Sequence, residues 1–151
     1  MNWFKAVIGL LIVAVAAAGI FLIVYGPPVT TEDYYQNQQM FDEQDFAAAQ
    51  DNDDLILINF HRPWCPPCRE QKRVLNQYFI DFTGSPVVVM EIDFDSQPEL
   101  VERFGAVDPT TLVLYRGHHR IWYTHNQTQR PNIYSALQEA EYHSRLFEED
   151  E

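Results

Sequence analysis

The sequence predicts an α/β domain that follows one N-terminal transmembrane helix. Three observations lead to this prediction. A long uncharged apolar run stands near the N-terminus, strand-like and helix-like patterns then alternate along the chain, and the only two cysteines, with two residues between them, come soon after one strand-like run. The part of the chain after the apolar run is long enough for a single domain with its own hydrophobic core.

The apolar run extends from Ala6 to Val24, a length that crosses a bilayer as an α-helix. Lys5 precedes it, and the positive-inside rule therefore places the N-terminus in the cytoplasm and the rest of the chain on the other side. A cleaved signal peptide is the alternative, with small-residue sites at 14–18. Because cleavage there would leave the apolar residues 20–24 at the new N-terminus, we expect 1–26 to remain as an anchor.

Acidic residues dominate both ends of the region outside the membrane. We expect 27–40 to be an acidic linker, 41–147 to be the folded domain and 148–151 to be a solvated acidic tail. The net charge of -12 argues against a nucleic-acid partner, because nucleic acids attract basic surfaces.

The predicted domain begins with a helix that docks through Phe41, Phe46 and the alanines at 47–49. The apolar run 55–60 then predicts a buried strand, and apolar residues at helical spacing after Pro66 predict a helix. The elements expected after it are a strand at 87–92, a short helix at 97–104 closed by Gly105, two strands at 111–115 and 120–123 that turn at Gly117, and a last helix from Pro131.

Both cysteines lie in the run Trp64-Cys65-Pro66-Pro67-Cys68, between a predicted strand and a predicted helix. Cys65 is expected at the N-terminus of that helix, where unpaired N–H groups and the helix dipole favour a thiolate. Cys68 lies one turn further along, where it can attack a mixed disulfide formed at Cys65. Pro66 and Pro67 suit a first helical turn. The pattern predicts a redox-active dithiol in a compartment where disulfides persist.

A zinc site and a structural staple are the competing interpretations of the cysteine pair. A closed zinc site needs four nitrogen or sulfur ligands, and the chain has no second cysteine pair, so we expect no metal. A ring this small removes little chain entropy from the unfolded state, which makes stapling a weak reason for the pair.

The chain resembles the thioredoxin superfamily over roughly 41–147. The resemblance lies in the strand leading into the cysteine motif, the stretch Ile92-Asp93-Phe94-Asp95 before a helix, and the segment from Phe104-Gly105 to Pro109-Thr110 before a hairpin. It implies a central mixed sheet flanked by helices. It also implies a Cys65–Cys68 disulfide that is redox-active without another cofactor, and protein thiols and disulfides as partners.

With its predicted anchor and the Pro-Pro dipeptide between the cysteines, the chain resembles the membrane-anchored, extracytoplasmic thioredoxin-like proteins of bacteria. This resemblance implies a single-pass protein of the inner membrane with its catalytic domain in the periplasm. It implies a membrane redox partner that recycles the dithiol, and it favours a reductant over an oxidant.

The resemblance also assigns roles around the motif. Trp64 would shield the cysteine pair, and Pro67 would limit the start of the helix. Pro109 is the best match to the family's cis-proline, and with Asp108 and Thr110 it would line the groove that binds substrate. A cis bond would leave the adjacent backbone free to pair with an extended substrate segment.

Asn59 and Glu91 stand where thioredoxins have a buried aspartate and a lysine. Asn59 cannot accept a proton, so Glu91 is the candidate base that takes the proton of Cys68. The alternative is that Glu91 points to the edge of the sheet and has no role.

The rival to an enzyme is a binding or chaperone module in a membrane complex, in which the dithiol is incidental. Trp122, Tyr123 and Tyr134 would form its contact patch, although core packing also accounts for these aromatic residues.

Overall fold

The structure is a computed structural model that describes residues 38–148, with side chains to 145. Nine helices and strands make up this part of the chain. In chain order they are β1 (Gln38–Met40), α1 (Glu43–Asp51), β2 (Leu55–His61), α2 (Pro66–Asp81), β3 (Val88–Asp93), α3 (Pro98–Phe104), β4 (Leu112–Arg116), β5 (His119–Thr124) and α4 (Arg130–Glu148). The predicted anchor and tail lie outside the described residues. Within 38–148, no helix has the length and apolarity needed to cross a membrane.

The five strands form one mixed sheet in the order β1-β3-β2-β4-β5. β1 and β2 run parallel to β3, while β4 runs antiparallel to both β2 and β5. The mixed sheet flanked by helices is confirmed. The parallel register places Asn59 beside Glu91 at the end of the two central strands where the cysteine motif follows.

The core has two layers because alternate residues of each strand face opposite sides of the sheet. Leu55 and Leu57 pack toward the buried apolar residues of α2 and α4. Ile56 and Ile58 pack on the other face, with those of α1 and α3. Burial on both faces explains why β2 is a continuous apolar run rather than an alternating one.

The predicted first helix forms, but of the alanines at 47–49 that were expected to dock only Ala49 is buried, since the other two lie on the solvent side of the helix. Asp42 caps α1 by accepting hydrogen bonds from the N–H groups of Gln44 and Asp45, and Phe46 and Ala49 are its buried residues. β1 was not predicted, because 38–40 was assigned to the linker. Its three residues carry no strand pattern, and they form a strand because their backbone pairs with β3.

Two glycines end or reverse elements as predicted. Gly105 closes α3 in the left-handed conformation at φ 68°. Gly117, at φ 48°, forms the turn between β4 and β5. Glycine adopts this region of backbone space at less cost than residues that carry a Cβ.

The aromatic residues of the proposed contact patch do not share a surface. Trp122 and Tyr134 pack against the core layer beneath α2 and α4. Tyr123 packs against the other layer. Core packing therefore accounts for all three side chains.

Candidate redox site

The cysteine motif lies where β2 passes into α2. Cys65 is the residue before the helix, in an extended conformation with φ -89° and ψ 115°, and its Sγ accepts the N–H of Cys68 at 3.3 Å. Pro66 and Pro67 occupy the first turn of α2, where a missing N–H costs no helical hydrogen bond. A thiolate at Cys65 would thus have a backbone donor and the positive end of the helix dipole.

Cys65 and Cys68 form a disulfide with a Cα to Cα distance of 5.3 Å. Both residues are largely shielded, with exposed fractions of 8% and 5%. The Sγ of Cys68 lies 3.3 Å from the carbonyl oxygen of Pro109. In the dithiol form, the Cys68 S–H would therefore have an acceptor at this position.

The loop of Pro109 differs from the family expectation. None of the described peptide bonds is cis, so the bond before Pro109 is trans. The N–H of Thr111 donates to the carbonyl of Asp108 at 3.1 Å, which closes a four-residue turn with Pro109 in its second position. A trans proline suits this position because its fixed φ matches the turn, whereas a cis proline is found in the third position.

Asp108 organises this turn. Its Oδ1 accepts the Thr110 N–H at 2.8 Å and the Thr110 hydroxyl at 2.6 Å, and its Oδ2 lies 3.0 Å from Nδ1 of His125. Burial raises the pKa of Asp108, but the hydrogen bonds from Thr110 and His125 outweigh it, and the pKa lies below its ordinary value. Because its N–H is already used and its side chain is buried, Thr110 does not present a free donor to a substrate strand.

Gln71 connects α2 to this loop. Its side chain is buried, and Nε2 donates to the carbonyl oxygens of Thr110 and Gln127, each at 2.8 Å. One amide group therefore joins the active-site helix to two separate segments.

Glu91 faces α2 and does not point to an edge of the sheet. It is 3% exposed, and β3 lies between β1 and β2. Its carboxyl group accepts a hydrogen bond from Nδ2 of Asn59 at 3.3 Å. Nζ of Lys72 lies 2.9 Å from Oε1 and 3.2 Å from Oε2. Nε2 of His61 lies 3.5 Å from Oε2. Lys72 is one turn beyond Cys68 on the same helix, so the carboxylate lies under the first turns of α2.

Trp64 lies on the surface and does not form a closed shield. It is 69% exposed, and the guanidinium of Arg62 lies 5.0 Å from its ring centroid. Arg62 is held in turn by Asp95, to which its Nε donates at 2.7 Å, and this hydrogen bond raises the pKa of Arg62. Trp64 thus presents a flat aromatic face beside the motif.

The sequence interpretation missed Gln71, Lys72 and His125. Gln71 follows Cys68 by three residues and precedes Leu75 by four, which places a polar side chain within the apolar stripe of α2. A polar residue in such a stripe signals a buried hydrogen bond. Lys72 carried no comparable signal, and His125 lies in a loop whose path the sequence does not specify.

Comparisons with known proteins agree with this fold and motif. The thioredoxin of Alicyclobacillus acidocaldarius subsp. acidocaldarius is 34% identical over 65 residues, which cover 43% of this chain and 61% of that protein. The human protein disulfide-isomerase TMX3 is 32% identical over 68 residues, which cover 44% of this chain and 15% of that protein. This chain thus spans about three fifths of the first relative and a smaller part of the second.

Among solved structures, Trxlp of Edwardsiella tarda EIB202 superposes with a TM-score of 0.62 at 24% identity, covering 66% of this chain and 97% of that one. This likeness shows the fold. Within 38–148, no group of three or more His, Cys, Asp and Glu residues is placed to hold a metal ion. The similarity and the Cys65–Cys68 disulfide together support thiol-disulfide exchange at this site. The family model for thioredoxin matches residues 36–139, and the chain belongs to the thioredoxin family.

Proposed function

We propose that this protein is a membrane-anchored thiol-disulfide oxidoreductase that reduces protein disulfides outside the cytoplasm. The observation that carries the proposal is the placement of the Cys65 sulfur at the N-terminus of α2, where it accepts the N–H of Cys68 and is bonded to the Cys68 sulfur. This geometry supports Cys65 as the attacking thiolate and Cys68 as the resolving thiol.

The reaction proceeds through one mixed disulfide. The Cys65 thiolate attacks a substrate disulfide, which forms a bond between Cys65 and the substrate and releases one substrate thiolate. Cys68 then loses its proton and attacks the Cys65 sulfur, so the ring closes and the second substrate thiolate leaves. The two substrate thiolates take up two protons, and the protein's dithiol has supplied two electrons.

Glu91 is the proposed acceptor of the Cys68 proton. Its support is its burial under α2 and its contact with Lys72, which lies one turn beyond Cys68 on that helix. The carboxylate could pass the proton to His61, whose side chain is 20% exposed.

The anchor and the compartment rest on the sequence. The run from Ala6 to Val24 has the length of a membrane span, and Lys5 precedes it. In a bacterium this arrangement puts the domain in the periplasm, where a membrane redox partner would recycle the oxidised dithiol. The direction is proposed as reductive, and a disulfide-forming oxidant is the alternative.

The roles of the two cysteines can be tested by single substitutions in the full-length chain. Cys65→Ser should abolish exchange with a protein disulfide, whereas Cys68→Ser should accumulate a mixed disulfide with substrate through Cys65. Non-reducing gels and mass spectrometry of the trapped species measure this. Trapping through Cys68, or full exchange activity in Cys65→Ser, would contradict the assignment.

The reduction potential of the full-length protein tests the direction. A value near that of thioredoxin, about -270 mV, is expected for a reductant, whereas a value near -120 mV marks an oxidant. A Cys65→Ser/Cys68→Ser double variant that keeps the biological role of the protein would support the binding module instead.

A further inference from the structure

Gln71 is a buried amide beside the redox pair that the exchange reaction described above does not use. It is 1% exposed and lies three residues beyond Cys68 on α2. Both hydrogens of its amide are used, toward the carbonyl oxygens of Thr110 and Gln127. A buried amide is costly unless its donors are satisfied, so these two bonds fix its position.

The loop that Gln71 holds also contacts the Cys68 sulfur. The carbonyl of Thr110 is bound by Gln71, and the carbonyl of the preceding residue, Pro109, lies 3.3 Å from Sγ of Cys68. Cys68 and Gln71 are on the same helix, so the two contacts set the distance between that helix and the loop. On the loop's other side, the Thr110 hydroxyl accepts the N–H of Asn126 at 2.9 Å.

We propose that Gln71 is a positioning residue that sets the redox equilibrium of the dithiol by holding the Pro109 carbonyl against Cys68. A reduced Cys68 has an S–H to donate to this carbonyl, whereas the disulfide has no hydrogen at sulfur. The contact therefore stabilises the dithiol and not the disulfide, and it makes the protein a weaker reductant than the same site with a relaxed loop. This inference rests on the proposed function.

The redox change to which the inference applies is the two-electron exchange with a reference disulfide. The dithiol gives two electrons and two protons, the Cys65–Cys68 bond forms, and the bond of glutathione disulfide breaks to give two glutathione thiols. Stabilising the dithiol shifts this equilibrium toward glutathione disulfide.

The test is Gln71→Met in the full-length chain, because methionine keeps the length of the side chain and removes both donors. In glutathione buffers, we expect the equilibrium constant for exchange between the protein dithiol and glutathione disulfide to shift about threefold to tenfold toward the protein disulfide. The reduction potential of the variant would then be about 14–30 mV more negative, because a tenfold change in the constant of a two-electron couple corresponds to 29.6 mV. In a Cys65→Ser background, iodoacetamide should alkylate Cys68 at least about threefold faster, because the S–H loses its acceptor.

Gln77→Met is the matched control. Gln77 is an exposed residue of the same helix, more than two turns beyond Cys68, and its amide donates to Asp81 at 2.8 Å. This variant should leave both the glutathione equilibrium and the Cys68 alkylation rate as they are in the native chain. If Gln71→Met also leaves both unchanged while its unfolding free energy falls, Gln71 is only structural and the inference is wrong.

Thr110→Val provides a second test if Gln71→Met does not fold. It removes the hydroxyl that binds Asn126 and Asp108, so the same loop is loosened from the other side. The equilibrium should shift in the same direction, and an unchanged or opposite shift would overturn the inference. If the native protein itself shows no measurable couple with glutathione, the proposed function fails together with this inference. A measurable native couple that neither variant moves overturns the inference alone.

Discussion

Glu91 is the residue whose surroundings depart most from those of an ordinary buried strand position. A buried carboxylate is costly unless it is paired and hydrogen-bonded, and here Lys72 pairs with it and Asn59 donates a hydrogen bond to it. These contacts hold the Glu91 carboxyl group under the helix that carries the dithiol. Glu91 is therefore the buried carboxyl group that we propose as the acceptor of the Cys68 proton.

We expect Glu91→Gln to slow the closing of the Cys65–Cys68 ring by about a hundredfold, because general acid-base help is typically worth that much. The initial attack by Cys65 should change far less, because Glu91 takes no part in it. Rapid mixing of the reduced protein with a protein disulfide, followed by acid quenching, measures the amount of mixed disulfide over time. Its rise reports the attack by Cys65, and its decay reports the closing of the ring.

Glu99→Gln is the control for this experiment, since Glu99 is an exposed glutamate in the first turn of α3. It should leave both steps unchanged. Ring closure in Glu91→Gln that stays within a few-fold of the native rate, with stability preserved, would show that water accepts the proton.

At the scale of elements, the hairpin of β4 and β5 depends on a close approach at Gly117. A Cβ added to Gly117 would lie 2.6 Å from Oδ1 of Asp53 and 3.1 Å from the carbonyl oxygen of Gln50. Asp53 also binds Arg116, whose Nε donates to Oδ2 at 2.8 Å. The turn, the end of α1 and the start of β2 are therefore packed together through a glycine.

Gly117→Ala should lower the unfolding free energy by about 1–3 kcal/mol, because alanine is strained at positive φ and its methyl group displaces Asp53. Gly84→Ala is the matched control, since nothing lies within 4 Å of its added Cβ, and it should change stability by less than about 0.5 kcal/mol. Urea unfolding measures both. Equal effects would contradict the close approach.

Elements with their own local signal could be predicted from the sequence, and those formed by a distant partner could not. β2 is an apolar run, and α3 ends at a glycine, so both were found near their observed bounds. β1 carries no pattern and is a strand only because β3 offers it a backbone edge. The trans bond of Pro109 depends on the turn that Asp108 organises, which requires knowing which loops meet.

The same distinction applies to the site. Two adjacent local signals, a strand and a helix start, predict where the Cys65–Cys68 pair lies, and the proposed roles of the two cysteines rest on that placement. The hydrogen bonds of Gln71 to Thr110 and Gln127 join segments that are far apart in the chain, so no short sequence pattern identifies all three residues. The resemblance matches Asn59 and Glu91 to two family positions on successive strands, and the parallel register makes the two residues neighbours.

At the scale of the whole molecule, an anchored dithiol that acts as a reductant requires a supply of electrons at the membrane. A reductant placed outside the cytoplasm meets substrates whose disulfides persist, but it also needs electrons from the membrane side. An anchor would keep the domain near such a partner. The strong acidity of the chain, with a net charge of -12, would keep the domain away from the anionic membrane surface.

We therefore expect residues 1–26 to stay attached and to hold the C-terminal part of the chain outside the cytoplasm. A C-terminal alkaline phosphatase fusion, active only after export, should be active, and a fluorescent reporter that matures only in the cytoplasm should be dark. Adding several lysines directly after Tyr25 should reduce export, because the positive-inside rule sets orientation by such charges. The same number of glutamines at that site is the control. A mature N-terminus found after Ala18, or a bright cytoplasmic reporter, would refute the anchored topology.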